Sequence, residues 1–393
     1  METEISALIS LQRLLITLAN KAVDKKVFIG FDGFVDRIKK AVKEKQNTRT
    51  VYYDSIREFA DRILVASGKS GQIQLATQRV KPGGNAPILS NALGALGVRS
   101  YCVGSMGYPA LNPIFSGMHP LCESVSVLEP GLSDAIEFAD GKLIFSELEV
   151  FEQYTWAHIK EVAGTGRISK AIGESAVVAF VDWANLPYAS DIWYGVLRDI
   201  IKPSGRKDYM FLFDLCDPSK KTTQQIDEVL DLMSAFSLYG KVTLALNENE
   251  TYKIWAALRG MDFIKDREKM PAIAEAGNCI YHSLRIDTLL IHPVDKSIIY
   301  HGHERLELQG RLVTRPKVLT GGGDNLNAGF CFGLLSDFTL PQCVLLGMAV
   351  AGAYIESGVS PDLQDVIEYL GVWTKELEQK VPGPETHIHS HRH

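Results

Sequence analysis

The feature that most constrains the fold of this chain is a regular alternation of short apolar segments with helical patterns. Six segments are rich in Val, Ile, Leu and Phe without alternating polar residues, which is typical of strands buried on both faces. They are residues 26–31, 100–106, 176–183, 209–215, 241–247 and 287–293. Helical patterns lie between most of them, for example at 86–97, 189–201 and 224–236. This order predicts an α/β fold, a doubly wound αβα sandwich around a parallel sheet.

Two segments break this order and predict a small second sheet. Residues 72–80 and 123–149 alternate like half-exposed strands, and residues 139–143 ("ADGKL") have the composition of a hairpin turn. We expect insertions at about 38–81 and 123–150 to form a β-sheet lid on one domain spanning residues 1–380. Residues 381–393 hold four of the ten histidines at alternate positions. We expect this tail to be flexible and to bind metals only adventitiously.

Charge and composition exclude several classes of function. The net charge is −6, so the chain has no basic footprint for nucleic acid. Acidic residues stand near the N-terminus where a signal peptide needs basic ones, and the longest apolar run, 343–355, is shorter than a membrane span. The six cysteines are scattered without a CxxC pair, as in reduced proteins. We therefore expect a cytoplasmic protein without nucleic-acid or membrane partners.

A run of three glycines, Gly321, Gly322 and Gly323, stands directly before Asp324 and a helical pattern. Unpaired N–H groups at a helix start favour a phosphate, and glycine lets the phosphate approach the main chain. Asp324 would then lie beside that phosphate, where a carboxylate can take a proton from an attacking hydroxyl. The alternative is that Asp324 only caps the helix.

Two further segments predict contacts to a sugar. Asp32 and Asp36 follow the first predicted strand, at the sheet edge where α/β proteins bind ligands. Gly83 and Gly84 precede a helical pattern and allow close backbone approach, and Asn85 adds a side-chain amide. The alternatives are solvated loop acids for the first segment and an ordinary turn for the second.

Asn247 and Glu250 lie where a predicted strand ends and a helix begins. Their spacing is that of a capping box, in which each side chain bonds the backbone of the other residue. The functional alternative is that both residues orient water around a Mg²⁺ that accompanies a nucleotide, because Mg²⁺ keeps much of its water shell.

Taken in order, these motifs resemble the ribokinase family of carbohydrate kinases, also called the phosphofructokinase-B family. The resemblance covers about residues 25–370, and its most specific part is "GGGDNLNAGF", which matches the Gly-Ala-Gly-Asp element of the family. It implies an αβα core with a small β lid. It also implies transfer of the γ-phosphate of ATP, with Mg²⁺, to a hydroxyl of a sugar or nucleoside.

The resemblance further implies roles for individual residues. Asp324 would be the catalytic base and Gly321–Gly323 the anion hole. The other implied contacts are Asn247 and Glu250 for Mg²⁺ and phosphate, Asp36, Asp32, Gly83, Gly84 and Asn85 for the sugar, and Asn327, Ala349 and Ala353 for the nucleotide.

The chain departs from the family pattern at three places. Val318 and Leu319 replace the usual Asp-Thr, so no monovalent-cation site is expected; Ile88 replaces an Asn, and residues 291–296 ("IHPVDK") replace a nucleotide-binding turn. Two alternatives therefore stand beside the ATP-dependent kinase: an ADP-dependent sugar kinase of the same fold, and a sugar-binding protein without turnover. We also expect a homodimer joined through the lid, whose apolar face a partner would cover.

Overall fold

A computed structural model describes residues 2–19, 23–47, 49–263, 265–318 and 320–380 of the chain. Within these ranges the strands form two sheets. The strands are β1 (Val23–Gly30), β2 (Phe34–Gln46), β3 (Arg49–Tyr52), β4 (Leu75–Gly83), β5 (Val98–Gly104), β6 (Cys122–Ser126), β7 (Gly131–Phe138), β8 (Gly141–Glu147), β9 (Ser175–Val181), β10 (Tyr209–Asp214), β11 (Gly240–Leu246), β12 (Thr288–Ile291), β13 (Lys296–His301) and β14 (Glu304–Gln309).

The large sheet has nine strands in the order β14-β13-β12-β11-β10-β9-β1-β5-β6. The seven strands from β12 to β6 run parallel, whereas β13 and β14 add an antiparallel hairpin at one edge. All six predicted strands belong to this sheet. Their continuous apolar character follows from burial on both faces, as the all-buried pattern of β12 illustrates.

The helices of the described residues cover both faces of the large sheet and one face of the small sheet. They are α1 (Glu2–Leu18), α2 (Ile56–Leu64), α3 (Asn85–Ala95), α4 (Trp156–Ala163), α5 (Thr165–Gly173), α6 (Ala189–Val196), α7 (Lys202–Ser204), α8 (Thr223–Phe236), α9 (Glu248–Leu258), α10 (Ile273–Ser283), α11 (Gly322–Leu335), α12 (Leu340–Ser357) and α13 (Leu363–Glu378). One hydrophobic cluster joins one sheet face to α4, α5, α6, α8, α9 and α10, and a second joins the other face to α1, α3, α11, α12 and α13. The predicted αβα sandwich is therefore confirmed.

The small sheet is the lid, with strand order β3-β2-β7-β8 and β4 paired to β2. Strand β2 runs antiparallel to β4 from Phe34 opposite Gly83 to Ala41 opposite Leu75. Helix α2 packs on one face of this sheet, where the Phe59 and Phe138 rings lie 5.3 Å apart. The predicted hairpin turn joins β7 to β8.

The lid differs from the predicted insertions at its borders. Strand β6 pairs with β5 in the large sheet, so residues 122–126 are not part of the lid. Strand β6 lies at the edge of the large sheet and is only partly buried, so it contains polar residues and lacks the continuous apolar run of the central strands. The lid also begins at Phe34, because β2 starts in the core and continues outward. A homodimer joined through the lid stays a prediction, and the histidine-rich tail lies outside the described residues.

Helix α12 is longer than the apolar run that the sequence suggests. It has 18 residues with a mean hydropathy of 1.3, so it meets the length and composition of a membrane span. The expectation that this segment is too short for a membrane span was therefore wrong. Of this stretch, 61% is buried inside the protein, mainly against α11, which is how a core helix behaves.

Glycines allow α11 and α12 to lie in close contact. A Cβ on Gly329 would come within 2.8 Å of the Gly347 Cα, and a Cβ on Gly347 within 2.8 Å of the Leu326 carbonyl oxygen. The backbones of the two helices therefore touch at this crossing. Because α11 begins with the glycine run, the contact also sets the position of that run.

We expect Gly329→Ala to lower the free energy of unfolding by roughly 1–3 kcal/mol, since overpacking a filled core forces backbone shifts. Urea unfolding measures this change. Gly173→Ala, at the end of α5, is the matched control, because nothing lies within 4 Å of its added methyl group. Equal stability of the two variants would contradict the close helix contact.

Candidate active site

The site lies where the carboxyl ends of the central strands meet the start of α11 and the base of the lid. Asp32 follows β1, Asp182 follows β9 and Asp214 ends β10, so three acids stand at neighbouring strand ends. This edge is where open α/β sheets bind ligands. Asp324 in the first turn of α11 and Glu250 in the first turn of α9 complete a group of five buried acids.

The glycine run forms the turn that starts α11. Gly321 has φ +87°, a left-handed conformation that favours glycine, and the helix begins at Gly322. The Asn325 backbone N–H and side-chain amide both donate to the Gly321 carbonyl, at 3.1 and 2.7 Å. The first N–H groups of a helix have no partner within the helix, so this turn presents donors to an anion.

Asp324 is buried, with 6% of its surface exposed. Its Oδ1 has no hydrogen-bond partner among the described residues, and no side chain caps the start of α11. The capping alternative therefore lacks its hydrogen bond. Burial raises the pKa of Asp324 well above its usual range, and the charges of Asp214, Asp32 and Asp182 raise it further, while Lys81 opposes them. A carboxylate in this setting is a strong base once it ionises.

Asn247 and Glu250 form the capping box that their spacing predicts. The Asn247 N–H donates to Glu250 Oε2 at 3.0 Å, and the Glu250 N–H donates to Asn247 Oδ1 at 2.9 Å. Burial raises the pKa of Glu250 to about 8, and the charge of Asp214 contributes. The box fixes the Glu250 carboxyl beside Asp214, so capping and cation binding are compatible roles.

The buried acids at the strand ends accept hydrogen bonds from the protein. Asp32 is fully buried and accepts the Asn85 and Ala86 backbone N–H groups, at 2.6 and 2.8 Å. It thereby holds the start of α3, which favours a structural role over direct sugar binding. Asp182, which has φ +54°, accepts the Asn185 side-chain amide at 2.7 Å.

Asp36 faces the site from the lid. It lies opposite Lys81 in the β2–β4 pair, and a Cβ on Gly83 would come within 2.2 Å of its Oδ1. Gly83 is therefore needed to make room for this carboxylate. Burial raises the pKa of Asp36 to about 6, although Lys81 and Lys142 lower it. Asp36 remains the best placed of the predicted sugar contacts.

The predicted nucleotide contacts are mostly enclosed. Asn327 is fully buried and its side-chain amide donates to Asp214 at 2.8 Å. Ala349 exposes no surface and Ala353 exposes 7%. Their contact with a nucleotide stays a prediction, as does that of Asn85.

Sequence reasoning missed several residues that the fold brings to the site. Asp182 and Asp214 each follow a buried strand, and this position alone could have marked them. His292 lies beside the glycine run: a Cβ on Gly323 would be 3.5 Å from its Cε1. Burial lowers the pKa of His292 to about 4, so the ring is neutral. No local sequence pattern indicated Lys81, which strand β4 of the lid brings to the site.

Solved structures with the same fold are sugar and nucleoside kinases. Ribokinase from Thermotoga maritima gives a TM-score of 0.59 at 14% identity, covering 88% of this chain and 99% of that chain. Adenosine kinase from Sinorhizobium meliloti gives 0.60 at 18% identity, covering 91% and 100%. Ribokinase from Arabidopsis thaliana, complexed with ribose and ATP, gives 0.59 at 16% identity, covering 88% and 98%.

With its αβα core, β lid and glycine-led helix, the protein is a ribokinase-fold carbohydrate kinase, a phosphotransferase that acts on a sugar hydroxyl. The sequence pattern of the prokaryotic ketohexokinase family matches residues 7–372, and the chain belongs to that family. A ketohexokinase from Haloferax volcanii is 25% identical over 349 residues, which cover 87% of this chain and 89% of that protein. The predicted family resemblance is therefore confirmed.

The raised pKa of Glu250 predicts how stability depends on pH. Between the ordinary value of 4.5 and the folded value of about 8, the native state binds more protons than the unfolded state. The free energy of unfolding should therefore fall as the pH rises through this window, by up to about 1.4 kcal/mol per pH unit for one proton. Urea unfolding of the metal-free protein between pH 6 and 8.5 measures the slope.

Glu250→Gln keeps the capping box, because Gln is also accepted at that position, but removes the titrating group. We expect a flatter slope for this variant. Glu248→Gln, an exposed residue in the same helical turn, should keep the wild-type slope. The same slope in all three proteins would show that Glu250 is ionised when the protein is folded.

Proposed function

We propose that this protein phosphorylates a ketohexose, using the γ-phosphate of ATP, with Asp324 as the general base. The observation that carries the proposal is the buried Asp324 carboxylate, whose Oδ1 lacks a partner in the described part of the chain, directly after the glycine turn. Membership of the ketohexokinase family supports the ketohexose, and the ribose and ATP held by a ribokinase of the same fold support the donor.

In this mechanism the sugar lies between the lid and the start of α11. Asp36 accepts hydrogen bonds from sugar hydroxyls and orients the acceptor. The acceptor hydroxyl gives its proton to Asp324 as its oxygen bonds to the γ-phosphorus. The bond between that phosphorus and the bridging oxygen of ADP breaks, and ADP leaves. Because the protein does little covalent chemistry, positioning and charge stabilisation carry most of the rate.

The glycine turn stabilises the charge of the transferred group. The N–H groups at the start of α11 point out of the helix, and without Cβ atoms at Gly322 and Gly323 a phosphate can reach them. Donors that are already in place need no reorganisation during the reaction, so they stabilise the transition state strongly.

The residues at the ends of β10 and β11 fit a hydrated Mg²⁺. Asp214, Asn247 and Glu250 supply oxygen ligands, which Mg²⁺ prefers, directly or through water. Burial raises the pKa of Asp214 to about 6 and that of Glu250 to about 8, so a cation here would offset unfavourable buried charge. When bound, the ion neutralises charge on the β- and γ-phosphate oxygens.

The donor and the acceptor are tested together. The purified protein is incubated with ATP or ADP, with and without Mg²⁺, and with fructose, other sugars or nucleosides, while nucleotide turnover is followed. We expect turnover with ATP, Mg²⁺ and a ketohexose. Turnover with ADP alone as donor would favour the ADP-dependent alternative, and sugar binding without any turnover would favour the inactive binder.

Asp324→Asn tests the general base. We expect kcat to fall by roughly 10²–10⁴-fold, the usual contribution of a general base, while folding and nucleotide binding persist. Steady-state kinetics, thermal unfolding and calorimetric titration with ATP measure the three properties. Asp337→Asn is the control, because Asp337 pairs with Lys25 on the surface beyond the far end of α11. Near-wild-type turnover in Asp324→Asn would overturn the mechanism.

Substitutions at Gly323 and Gly321 should affect different properties, ATP binding in the first case and stability in the second. A side chain at Gly323 meets only His292, at ordinary contact distance, so Gly323→Val should fold normally. It should weaken ATP binding roughly tenfold or more, because it blocks a hydrogen bond to a charged phosphate. Gly321→Ala should instead lower stability by roughly 1–2 kcal/mol, because of its positive φ. If Gly323→Val binds ATP with unchanged affinity, the phosphate does not bind at this turn.

A further inference from the structure

Lys81 is a lysine of the lid that reaches the glycine turn. It stands on β4, directly opposite Asp36 on β2. Its Nζ donates to Thr320 Oγ1 at 3.2 Å, and Thr320 immediately precedes Gly321. The Thr320 carbonyl in turn accepts the Tyr354 hydroxyl of α12, at 2.9 Å. The ammonium thus connects the sugar side of the site to the start of the phosphate turn.

The charges around Lys81 favour a position between the acceptor and the base. Burial lowers the pKa of Lys81 and Arg79 adds to this, whereas Asp36, Asp324 and Glu137 stabilise the charged form. Lys81 is also the cation that lowers the pKa of Asp324. Lys142, on β8, acts on both Asp36 and Lys81. Of these two lysines, Lys81 is the one that donates to the residue directly before the glycine turn, where a hydroxyl would meet a phosphate.

The site needs such a cation. The five buried acids are Asp32, Asp182, Asp214, Glu250 and Asp324, and ionised carboxylates at these positions repel an incoming phosphate. The N–H groups of the glycine turn offset part of this charge. Mg²⁺ held by the residues at the ends of β10 and β11 would offset more, but on the side of Asp214 and Glu250. On the lid side of the site, Lys81 supplies positive charge that offsets the acids.

We propose that the Lys81 ammonium contacts the phosphoryl group during its transfer and favours the ionised form of Asp324 that accepts the proton. This inference deepens the proposed function and rests on it. Lys81 and Asp36 stand on paired strands, so the lid brings the sugar-binding acid and the cation to the site together.

Three variants distinguish the effect of the Lys81 charge from a structural role of its side chain. Lys81→Met keeps the length of the side chain but removes the charge and the bond to Thr320. Lys81→Gln keeps a hydrogen-bond donor for Thr320 without the charge. Lys43→Met is the control: Lys43 lies on β2 of the same sheet, but its ammonium pairs with Glu58 at the surface. Thermal unfolding shows whether each variant is folded.

The first measurement is the kcat of each variant with ATP, Mg²⁺ and fructose as a function of pH. We expect both Lys81 variants to lose roughly 10²–10³-fold in kcat, the range for removing one group that stabilises transition-state charge. The acidic limb of the profile should move to higher pH. Asp324 must lose its proton to act. Burial and the charges of Asp214, Asp32 and Asp182 raise its pKa, and both Lys81 variants remove a charge that lowers it. A purely structural role for Lys81 would leave the acidic limb unmoved.

The second measurement does not depend on the sugar. ADP with aluminium fluoride mimics the transferring phosphoryl group, and calorimetry gives its affinity for each variant. We expect roughly tenfold or weaker binding in Lys81→Met and Lys81→Gln, and wild-type binding in Lys43→Met.

The proposed function and the role of Lys81 can be contradicted independently by these two measurements. If the wild-type protein does not turn over any ketohexose, the proposed function is wrong, and the affinity for ADP with aluminium fluoride still decides the role of Lys81. If the wild type is active while Lys81→Gln keeps its kcat, its acidic limb and its affinity, the inference is overturned. If Lys81→Met does not fold, Lys81→Gln carries both measurements.

Discussion

The burial of five carboxyl groups at one edge of the sheet is the constraint around which the rest of the site is arranged. Burying a charge without partners is strongly unfavourable, so each group needs compensation. Four of them receive it from the protein: backbone N–H groups of α3 for Asp32, and side-chain amides of Asn185, Asn327 and Asn247 for Asp182, Asp214 and Glu250. Within the described ranges, the Asp182 Oδ2 and the Asp324 Oδ1 have no hydrogen-bond partner, but Asp182 accepts an amide at its other oxygen. The unpartnered oxygen of Asp324 is the one beside the glycine turn, at the residue that we propose as the base.

The position of that residue depends on packing far from the substrate. Helix α11 rests on α12 through Gly329 and Gly347, whose backbones touch. Tyr354 of α12 then donates to the Thr320 carbonyl, just before the turn. A shift of one helix against the other would therefore move the N–H donors and Asp324 together. This coupling explains why a turn made of flexible glycines can still hold a fixed geometry.

Much of the fold could be predicted because its signals are local. The six strand segments are continuous apolar runs, and the hairpin of the lid is set by a short turn around Gly141. Strand β6 was assigned to the wrong sheet because this edge strand is only partly buried and its polar residues resemble those of a lid strand. The length of α12 was underestimated because polar residues at its ends hide how far the helix continues.

The site was predictable to the extent that its motifs are contiguous. Asp324 follows its glycines directly, so one segment contains both the N–H donors and the proposed base. For Asn247 and Glu250, the local pattern fits a cap and a cation site equally well, and the structure forms the cap without excluding the ion. Asp182, Asp214 and Lys81 come from separate strands that only the tertiary fold brings together. The distinction between Asp32 and Asp36 likewise depends on the partners that each side chain finds.

The continuity of strand β2 from the core into the lid determines how the parts of the lid would move relative to the site. It is continuous from Phe34 in the core to Gln46 at the outer end of the lid, and β4 accompanies it to Gly83. At about 3.3 Å per residue, Asp36 is only roughly 7 Å from the pivot at Phe34, whereas Gln46 is roughly 40 Å away. A small rotation of the lid about Phe34 would therefore move its outer end through a wide arc, while Asp36 and Lys81 would move very little. Entry of a sugar can require a large opening without disturbing the alignment of the reacting groups.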